Sequence, residues 1–173
     1  MKRLQLNVDL LGQLKDVGLF HYLSDDEKRQ LISNCELFEY AKDEKVVTQG
    51  EVSSCFFVVF SGTLNVTVKD NTGKEVFISS IGAGDFFGEA GIFTNAQRTA
   101  NVAPATDSAG ILRIDRNAFF DFVKQYPTAG VKMLMLFING LLKKLSDSNK
   151  ELAMTRSSVL DQSAIDSFLQ NMR

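Results

Sequence analysis

The sequence has no tryptophan, only two cysteines, two prolines and a single histidine among its 173 residues. Cys35 and Cys55 show neither the spacing of a metal-binding motif nor that of a disulfide framework, so we expect two buried, small apolar side chains. His21 directly precedes a helix cap, and a metal site of the kind found in small β-barrel enzymes needs several histidines. We therefore expect no enzyme activity, no metal ion and no cofactor.

The chain also lacks a basic excess and a long apolar run. Its formal charge is −2, whereas nucleic-acid-binding domains usually carry a surplus of Lys and Arg. No apolar stretch approaches the roughly 18 residues of a membrane span, and the first six residues are too polar for a signal peptide. These features predict a cytoplasmic protein that binds no nucleic acid and has no membrane span.

What the chain does have is a large apolar fraction, 45 %, with 14 phenylalanines. The region 37–114 shows short stretches with period-two alternation, separated by turns such as Asp70–Gly73. This pattern predicts an α+β fold, mainly β, with an antiparallel β-roll resembling a jelly-roll barrel. We predict strands at 37–40, 45–48, 55–60, 63–69, 75–81, 99–104 and 109–114.

Helices are expected on both sides of the roll. We assign residues 1–36 to N-terminal helices, one of which begins at a capping box formed by Ser24 and Glu27. In the region 115–153, Asp115 is expected to cap one helix and Pro127 to begin the next. The remaining segment, 154–173, has one amphipathic stretch and is too short for a helix-turn-helix domain. The whole chain is treated as one domain.

The most informative stretch lies between Gly84 and Val102. It places Glu89 nine residues before Arg98 and surrounds the carboxylate with small residues. An arginine offers a planar set of donors suited to phosphate oxygens, whereas a carboxylate suits a hydroxyl donor such as a ribose 2′-OH. Backbone N–H groups in a short helical turn after Gly88 also favour an anion. Together these features predict a site for a nucleotide monoester, although a buried Glu–Arg pair can also serve structure alone.

The segment from Phe87 to Gly91, followed by Arg98-Thr99-Ala100, resembles the phosphate-binding cassette of cyclic nucleotide-binding domains. The Glu–Arg spacing is similar to that of protein kinase regulatory subunits and cyclic nucleotide-gated channels. A second similar block runs from Gln49 to Gly62, so that the resemblance covers roughly residues 20 to 150. The resemblance implies a regulatory sensor that binds cAMP or cGMP and relays binding through movement of its C-terminal helices.

The resemblance also implies roles for individual residues. Arg98 would pair with the phosphate and Glu89 would accept from the ribose 2′-OH. The backbone N–H groups near Gly88, Ala90 and Gly91 would complete the phosphate cradle. The Thr99 hydroxyl lies beside Arg98, where a threonine is associated with guanine in some relatives, so the choice between cAMP and cGMP stays open.

The helix at 127–152 carries an apolar stripe that has two interpretations. It packs on its own roll, or it pairs with the same helix of a second subunit as in catabolite activators, and we favour the homodimer. In those dimers a pair of hydroxyl-bearing residues contacts adenine, and Ser148 and Asn149 occupy a similar place here. An unidentified effector protein would receive the signal.

The chain departs from the family pattern at Ala90 and Gln97. The alternative to a sensor is therefore a degenerate domain that keeps the fold, binds no nucleotide, and acts as an interaction or dimerisation module.

Overall fold

The computed structural model describes residues 1–5, 12, 14 and 17–170, with side chains described as far as Thr155. Its backbone divides into two compact units, residues 1–133 and the segment from Leu134 onward. The strands are β1 (Lys2–Leu4), β2 (Glu36–Ala41), β3 (Cys55–Ser61), β4 (Thr63–Lys69), β5 (Glu75–Gly82), β6 (Phe86–Phe87), β7 (Asn101–Pro104) and β8 (Ser108–Asp115). The helices with defined bounds are a 3-10 turn (Gly18–Phe20), α1 (Asp25–Ser33), α2 (Ala90–Phe93), α3 (Arg116–Gln125) and α4 (Pro127–Gln170).

The first unit contains two antiparallel sheets. One has the strand order β1-β2-β8-β3-β6 and the other β5-β4-β7. A buried apolar cluster joins both sheets, since it includes Phe57 and Ile111 from the first and Leu64 and Val102 from the second. The expected fold class, a mainly β antiparallel roll with accessory helices and a long C-terminal helix, is confirmed.

Phenylalanine fills much of the interior, as the composition indicates. Phe57 and Phe87 stack with their ring centroids 5.0 Å apart, and Phe56 meets Phe119 edge to face at 5.7 Å. Both geometries are favoured arrangements of aromatic rings. The first pair fixes β6, which leads directly into the cassette, and the second fixes α3 against β3.

The two cysteines differ in their surroundings. Cys55 is buried at the start of β3, while the Cys35 thiol donates to the Leu31 carbonyl oxygen at 2.9 Å. Burial raises the pKa of the Cys35 thiol, and the negative charge of Asp115 raises it further. The expectation of a buried side chain is confirmed for Cys55, whereas Cys35 is only partly buried.

Several elements follow the local sequence signals. Ser24 Oγ accepts from the Glu27 N–H at 3.3 Å and Glu27 Oε2 accepts from the Ser24 N–H at 2.7 Å, so the capping box forms. The helix α4 begins at Pro127, as expected. None of the helices in the described part of the chain is long and apolar enough to cross a membrane.

Other elements depart from the expectations. Helices were expected at 1–36, but the chain begins with the strand β1, which pairs with β2. The strand expected at 45–48 is reduced to a single bridge between Val47 and Val102. Asp115 is the N-cap residue of α3, yet its carboxylate makes no cap and instead accepts from Arg113 Nη2 at 2.8 Å. The tail expected from residue 154 continues α4 as far as Gln170. The parts of these expectations that fall on residues 6–11, 13, 15, 16 and 171–173 lie outside the described residues.

The hairpin between β4 and β5 provides a test of acid stability. Asp70 Oδ1 accepts from the Thr72 hydroxyl at 2.6 Å, the Thr72 N–H at 2.8 Å and the Lys74 N–H at 3.0 Å. These hydrogen bonds, that of the Thr72 hydroxyl first, lower the pKa of Asp70 below its ordinary 3.8. The ionised carboxylate therefore adds stability above pH 3.8, and this contribution is lost as the pH falls through the lower folded-state pKa.

We accordingly expect Asp70→Asn to lower the melting temperature at pH 7, with the difference from wild type shrinking below about pH 4. Circular-dichroism melts between about pH 2.5 and pH 7 measure this. Asn71→Ala in the same turn is the control. An Asp70→Asn difference that stays constant across this range would contradict the assignment.

Candidate functional site

The carboxylate of the cassette is placed by a short strand, one glycine and one helical turn. β6 pairs with β3 through Phe86 and Phe87, and the chain then turns at Gly88, whose φ of +75° is one that L side chains rarely adopt. Glu89 follows in helical conformation as the N-cap residue of α2. Its side chain is only 3 % exposed. Buried carboxylates are uncommon in proteins, and this one lies in the segment that carries the family resemblance.

The guanidinium of Arg98 extends toward this turn from the segment that precedes β7. Its Nη1 donates to the Gly88 carbonyl oxygen at 2.9 Å, and its Nη2 to the Cys55 carbonyl oxygen at 2.6 Å. Ser53 Oγ accepts from both Nε and Nη2, at 3.0 and 2.6 Å. The group also lies 5.6 Å from the centroid of the Phe57 ring, within range of a cation–π contact. Arg98 is thus held in one orientation by several protein acceptors.

The backbone of Arg98 is fixed by the other block that carries the family resemblance. The Arg98 N–H donates to the Glu51 carbonyl oxygen at 2.7 Å, and the Gly50 N–H donates to the Arg98 carbonyl oxygen at 2.8 Å. Gly50 has a φ of +90°, a backbone conformation that glycine adopts without strain. The two similar sequence blocks are therefore in direct contact, and together they set the position of the arginine.

Two glycines of the cassette make room for this arginine. A Cβ on Gly88 would lie 2.6 Å from Arg98 Nη1, and one on Gly91 would lie 2.9 Å from the same atom and 2.7 Å from the Ser53 carbonyl oxygen. The sequence pattern assigned this space to the ligand. In the structure it is filled by the guanidinium, so the small residues are needed first to seat Arg98.

The remaining predicted residues lie at the surface. Ala90 and Thr99 are exposed, next to the buried Glu89 and the partly buried Arg98. The Gly91 N–H donates to the Gly88 carbonyl oxygen at 3.0 Å, so this donor is already used inside the turn. Ser148 and Asn149 are exposed on α4 in the second unit, and their contribution to a nucleotide site stays a prediction.

Sequence reasoning missed three residues that hold the cassette: Ser53, Cys55 and Arg116. Ser53 and Cys55 lie more than 40 positions before Arg98, and no local spacing connects them with it. Arg116 Nη2 donates to the carbonyl oxygens of Gly91 and Thr94 at 2.9 and 2.7 Å. The one signal in the sequence was that Arg116 is a cation at the start of a helix, where cations are unfavourable and therefore need another purpose.

The arrangement can bind an anion and a hydroxyl side by side. Arg98 supplies positive charge and the buried Glu89 in the adjoining turn supplies an acceptor. Within the described residues, no group of three or more His, Cys, Asp or Glu side chains is placed to hold a metal ion.

Comparison with known proteins agrees with this chemistry. The family model described as "Cyclic nucleotide-binding domain" matches residues 37–126, more than half of the chain. A cAMP-dependent protein kinase regulatory subunit of Mycosarcoma maydis is 41% identical over 98 residues, covering 56% of this chain and 18% of the relative. A cGMP-dependent protein kinase of Drosophila melanogaster (isozyme 2 forms cD5/T2) is 35% identical over 108 residues, covering 61% of this chain and 12% of the relative. This chain therefore spans less than a fifth of either kinase protein.

Solved structures share the fold. A cyclic nucleotide-binding domain from Methylobacillus flagellatus superposes with a TM-score of 0.69 at 21% identity, covering 81% of this chain and 78% of the other. At this level of identity the likeness concerns the architecture of the roll and its helices. It places the described cassette within a fold that other chains also adopt.

Proposed function

This chain belongs to the cyclic nucleotide-binding domain family, and on that premise we propose that it binds cAMP or cGMP as a regulatory sensor. The observation that carries the proposal is the cassette itself, in which a 3 % exposed Glu89 adjoins the turn that seats Arg98. Sensing, rather than catalysis, is the role we assign to it. We expect the protein to act in the cytoplasm.

In this proposal each anchor recognises a different part of the ligand. Arg98 binds the exocyclic phosphate oxygens and Glu89 accepts from the ribose 2′-OH. Backbone N–H groups near Gly88, Ala90 and Gly91 complete the phosphate cradle. The Gly91 N–H donates to the Gly88 carbonyl oxygen in the structure, and this hydrogen bond has to break before the N–H can donate to the phosphate. A cyclic monoester with a free 2′-OH is the simplest ligand with both groups, which is why a deoxyribose or a 2′-phosphate would bind poorly.

The choice of base rests on groups other than Glu89 and Arg98. The Thr99 hydroxyl, directly after Arg98, is proposed to donate to a guanine or to a phosphate oxygen. Ser148 and Asn149 are proposed to contact the base from a helix. Thr99 would favour cGMP, whereas Ser148 and Asn149 occupy a position that contacts adenine in related dimers and would favour cAMP. The preference between the two nucleotides therefore has to be measured.

Calorimetric titration of the purified protein with cAMP and with cGMP tests the proposal, after denaturation of a sample to detect co-purified nucleotide. Micromolar or tighter binding of one nucleotide supports the sensor and identifies its base. No binding of either, with an empty protein, overturns it.

The exposed face of α4 supports the proposed homodimer. Its apolar residues recur with alternating spacings of four and three, and Asn149 continues the same series: Val131, Met135, Ile138, Leu142, Leu145 and Leu152. Each of these six apolar side chains is at least half exposed. The helix buries other residues, Ala129, Met133 and Phe137, which lie on a different face. The exposed series has the heptad spacing of a two-stranded coiled coil, so a second copy is the partner we propose for it.

The double variant Leu142→Lys/Leu145→Lys is expected to weaken dimerisation by at least about 100-fold, because each leucine contributes about 1.5–3 kcal/mol when buried. Sedimentation velocity over a range of protein concentrations measures this. Asp147→Lys changes the charge equally on the opposite side of the helix and is the matched control. A wild-type protein that remains monomeric over a roughly 100-fold range of concentration would contradict the dimer.

The proposed relay of ligand binding to the C-terminal helices runs through α3, which lies beside the cassette. A ligand shifts the helices only if it binds two helix positions with different affinity, and a few charge-assisted hydrogen bonds of about 1.5–3 kcal/mol each can supply such a difference. The proposed output is a changed angle of the C-terminal helices, read by an effector protein that is not yet identified.

One observation favours a second candidate function. All three nitrogens of the Arg98 guanidinium already donate to protein acceptors, an arrangement that stabilises the roll without a ligand. A module of this kind would bind no nucleotide and would act through its helices. Its melting temperature would not respond to cAMP or cGMP, which separates it from the sensor.

A further inference from the structure

We propose that Arg116 is a positioning residue that couples the cassette to α3 and transmits the state of the cassette to the first turn of α4. The coupling itself is independent of the ligand's identity. Its use as a relay rests on the proposed function.

The first step of this coupling is the contact between Arg116 and the cassette helix. Nη2 of Arg116 donates to the Gly91 carbonyl oxygen at 2.9 Å and to the Thr94 carbonyl oxygen at 2.7 Å. These carbonyls belong to the last turn of α2 and to its C-cap residue, where backbone acceptors have no partner within the helix. The positive charge is also favourable at this end of a helix. Arg116 therefore holds the end of α2 that is opposite Glu89.

The second step is the backbone of Arg116, which shares its anchor with Arg98. The Arg116 N–H donates to the Ser54 carbonyl oxygen at 2.8 Å. Ser53 and Cys55 lie on either side of Ser54. The Ser53 Oγ and the Cys55 carbonyl oxygen both accept from the Arg98 guanidinium. Three consecutive residues thus hold both arginines, and any displacement of Arg98 by an anion acts on the segment that supports the start of α3.

The third step joins α3 to the start of α4. The Gly130 N–H donates to the Tyr126 carbonyl oxygen at 2.9 Å, and a Cβ on Gly130 would lie only 2.8 Å from Val123 Cγ1. The two helices are therefore in close contact at their corner, and a rotation of α3 has to move the first turn of α4. Within the first unit, a continuous series of contacts leads from Glu89 and Arg98 to α4.

One donor of the Arg116 guanidinium is not used in these contacts. Among the buried side-chain polar atoms of the described residues, Arg116 Nε has no hydrogen-bond partner. The side chain is therefore held through Nη2, which is the atom that contacts the cassette.

Amide hydrogen exchange tests the coupling without any ligand. In Arg116→Gln, protection at residues 91–94 and at residues 116 and 119–122 is expected to fall together by at least about tenfold, while protection in β3 and β8 is retained. Arg116→Lys, which keeps the charge and one donor, should recover part of the loss at both places. Asn117→Ala, an exposed neighbour in the same turn, is the control. Loss confined to residues 116 and 119–122 would overturn the proposal, because the cassette would then be independent of Arg116.

A tryptophan reporter tests the relay. The sequence has no tryptophan, so Phe120→Trp on α3 provides a single emission signal. Saturating cAMP or cGMP, whichever binds, is expected to change this emission, and Arg116→Gln should remove most of the change although calorimetry still detects binding. A merely structural role predicts a lower melting temperature with the full emission change restored at saturation, which would overturn the relay. If neither nucleotide binds the wild type, the proposed function fails, and the exchange experiment still decides the coupling.

Discussion

Arg98→Ala is expected to weaken binding of the preferred cyclic nucleotide by at least about 100-fold. The variant would remove the two charge-assisted hydrogen bonds that we propose to phosphate oxygens, each worth about 1.5–3 kcal/mol, and about 1.4 kcal/mol corresponds to a tenfold change in affinity. Calorimetric titration at low and moderate ionic strength measures the loss. The loss of affinity should be larger than that caused by replacing an exposed arginine. Arg29→Ala, on the surface of α1, is the control.

The same substitution also has a cost in stability that the sequence did not reveal. Without the guanidinium, the carbonyl oxygens of Gly88 and Cys55 lose a donor at 2.9 and 2.6 Å. We therefore expect a lower melting temperature together with a retained β-sheet spectrum, so binding has to be compared below the transition of each variant. Arg98→Lys keeps the charge without the planar donor set and should fall between wild type and alanine in both measurements. Near wild-type affinity in both variants would refute the assignment of Arg98 to the phosphate.

The second large effect concerns Glu89 and a single hydroxyl of the ligand. Wild-type protein is expected to bind the 2′-deoxy form of its preferred nucleotide about 10- to 100-fold more weakly, because the hydrogen bond that we propose between the buried carboxylate and the 2′-hydroxyl is then lost. In Glu89→Ala the two forms should bind equally and weakly. The comparison of two ligands with two proteins isolates the contact between the carboxylate and the hydroxyl from any general change in the loop.

Two controls sharpen this experiment. Glu89→Gln keeps the shape of the 3 % exposed side chain and one acceptor oxygen, so it should retain more affinity than alanine while it discriminates less than wild type. Glu51 has an exposed carboxylate, and its backbone carbonyl oxygen accepts from the Arg98 N–H. Glu51→Ala removes only the carboxylate and should leave the discrimination between the nucleotide and its 2′-deoxy form unchanged. Persistent discrimination in Glu89→Ala would show that the 2′-OH is recognised by another group.

Features that depend on neighbouring residues were determined by the sequence itself. The capping box needs only Ser24 and Glu27, three residues apart, and the β4–β5 turn needs Asp70 and a glycine with positive φ. The strand Thr63–Lys69 has the predicted bounds because its turns limit it on both sides. The two blocks that carry the family resemblance are equally local, which is why Glu89 and Arg98 can be named as candidates from the sequence.

Features that depend on distant partners were decided only by the tertiary structure. The strand at 45–48 is short because only Val47 meets β7 in register, and Asp115 does not cap its helix because Arg113 offers a charged donor at 2.8 Å. The orientation of Arg98 depends on Ser53 and Cys55, and the end of the cassette helix depends on Arg116. Sequence spacing carries no information about such contacts, because they form only when the sheets and α3 pack together. The sequence therefore determined which groups the cassette contains, and the packing of the roll decided what holds them.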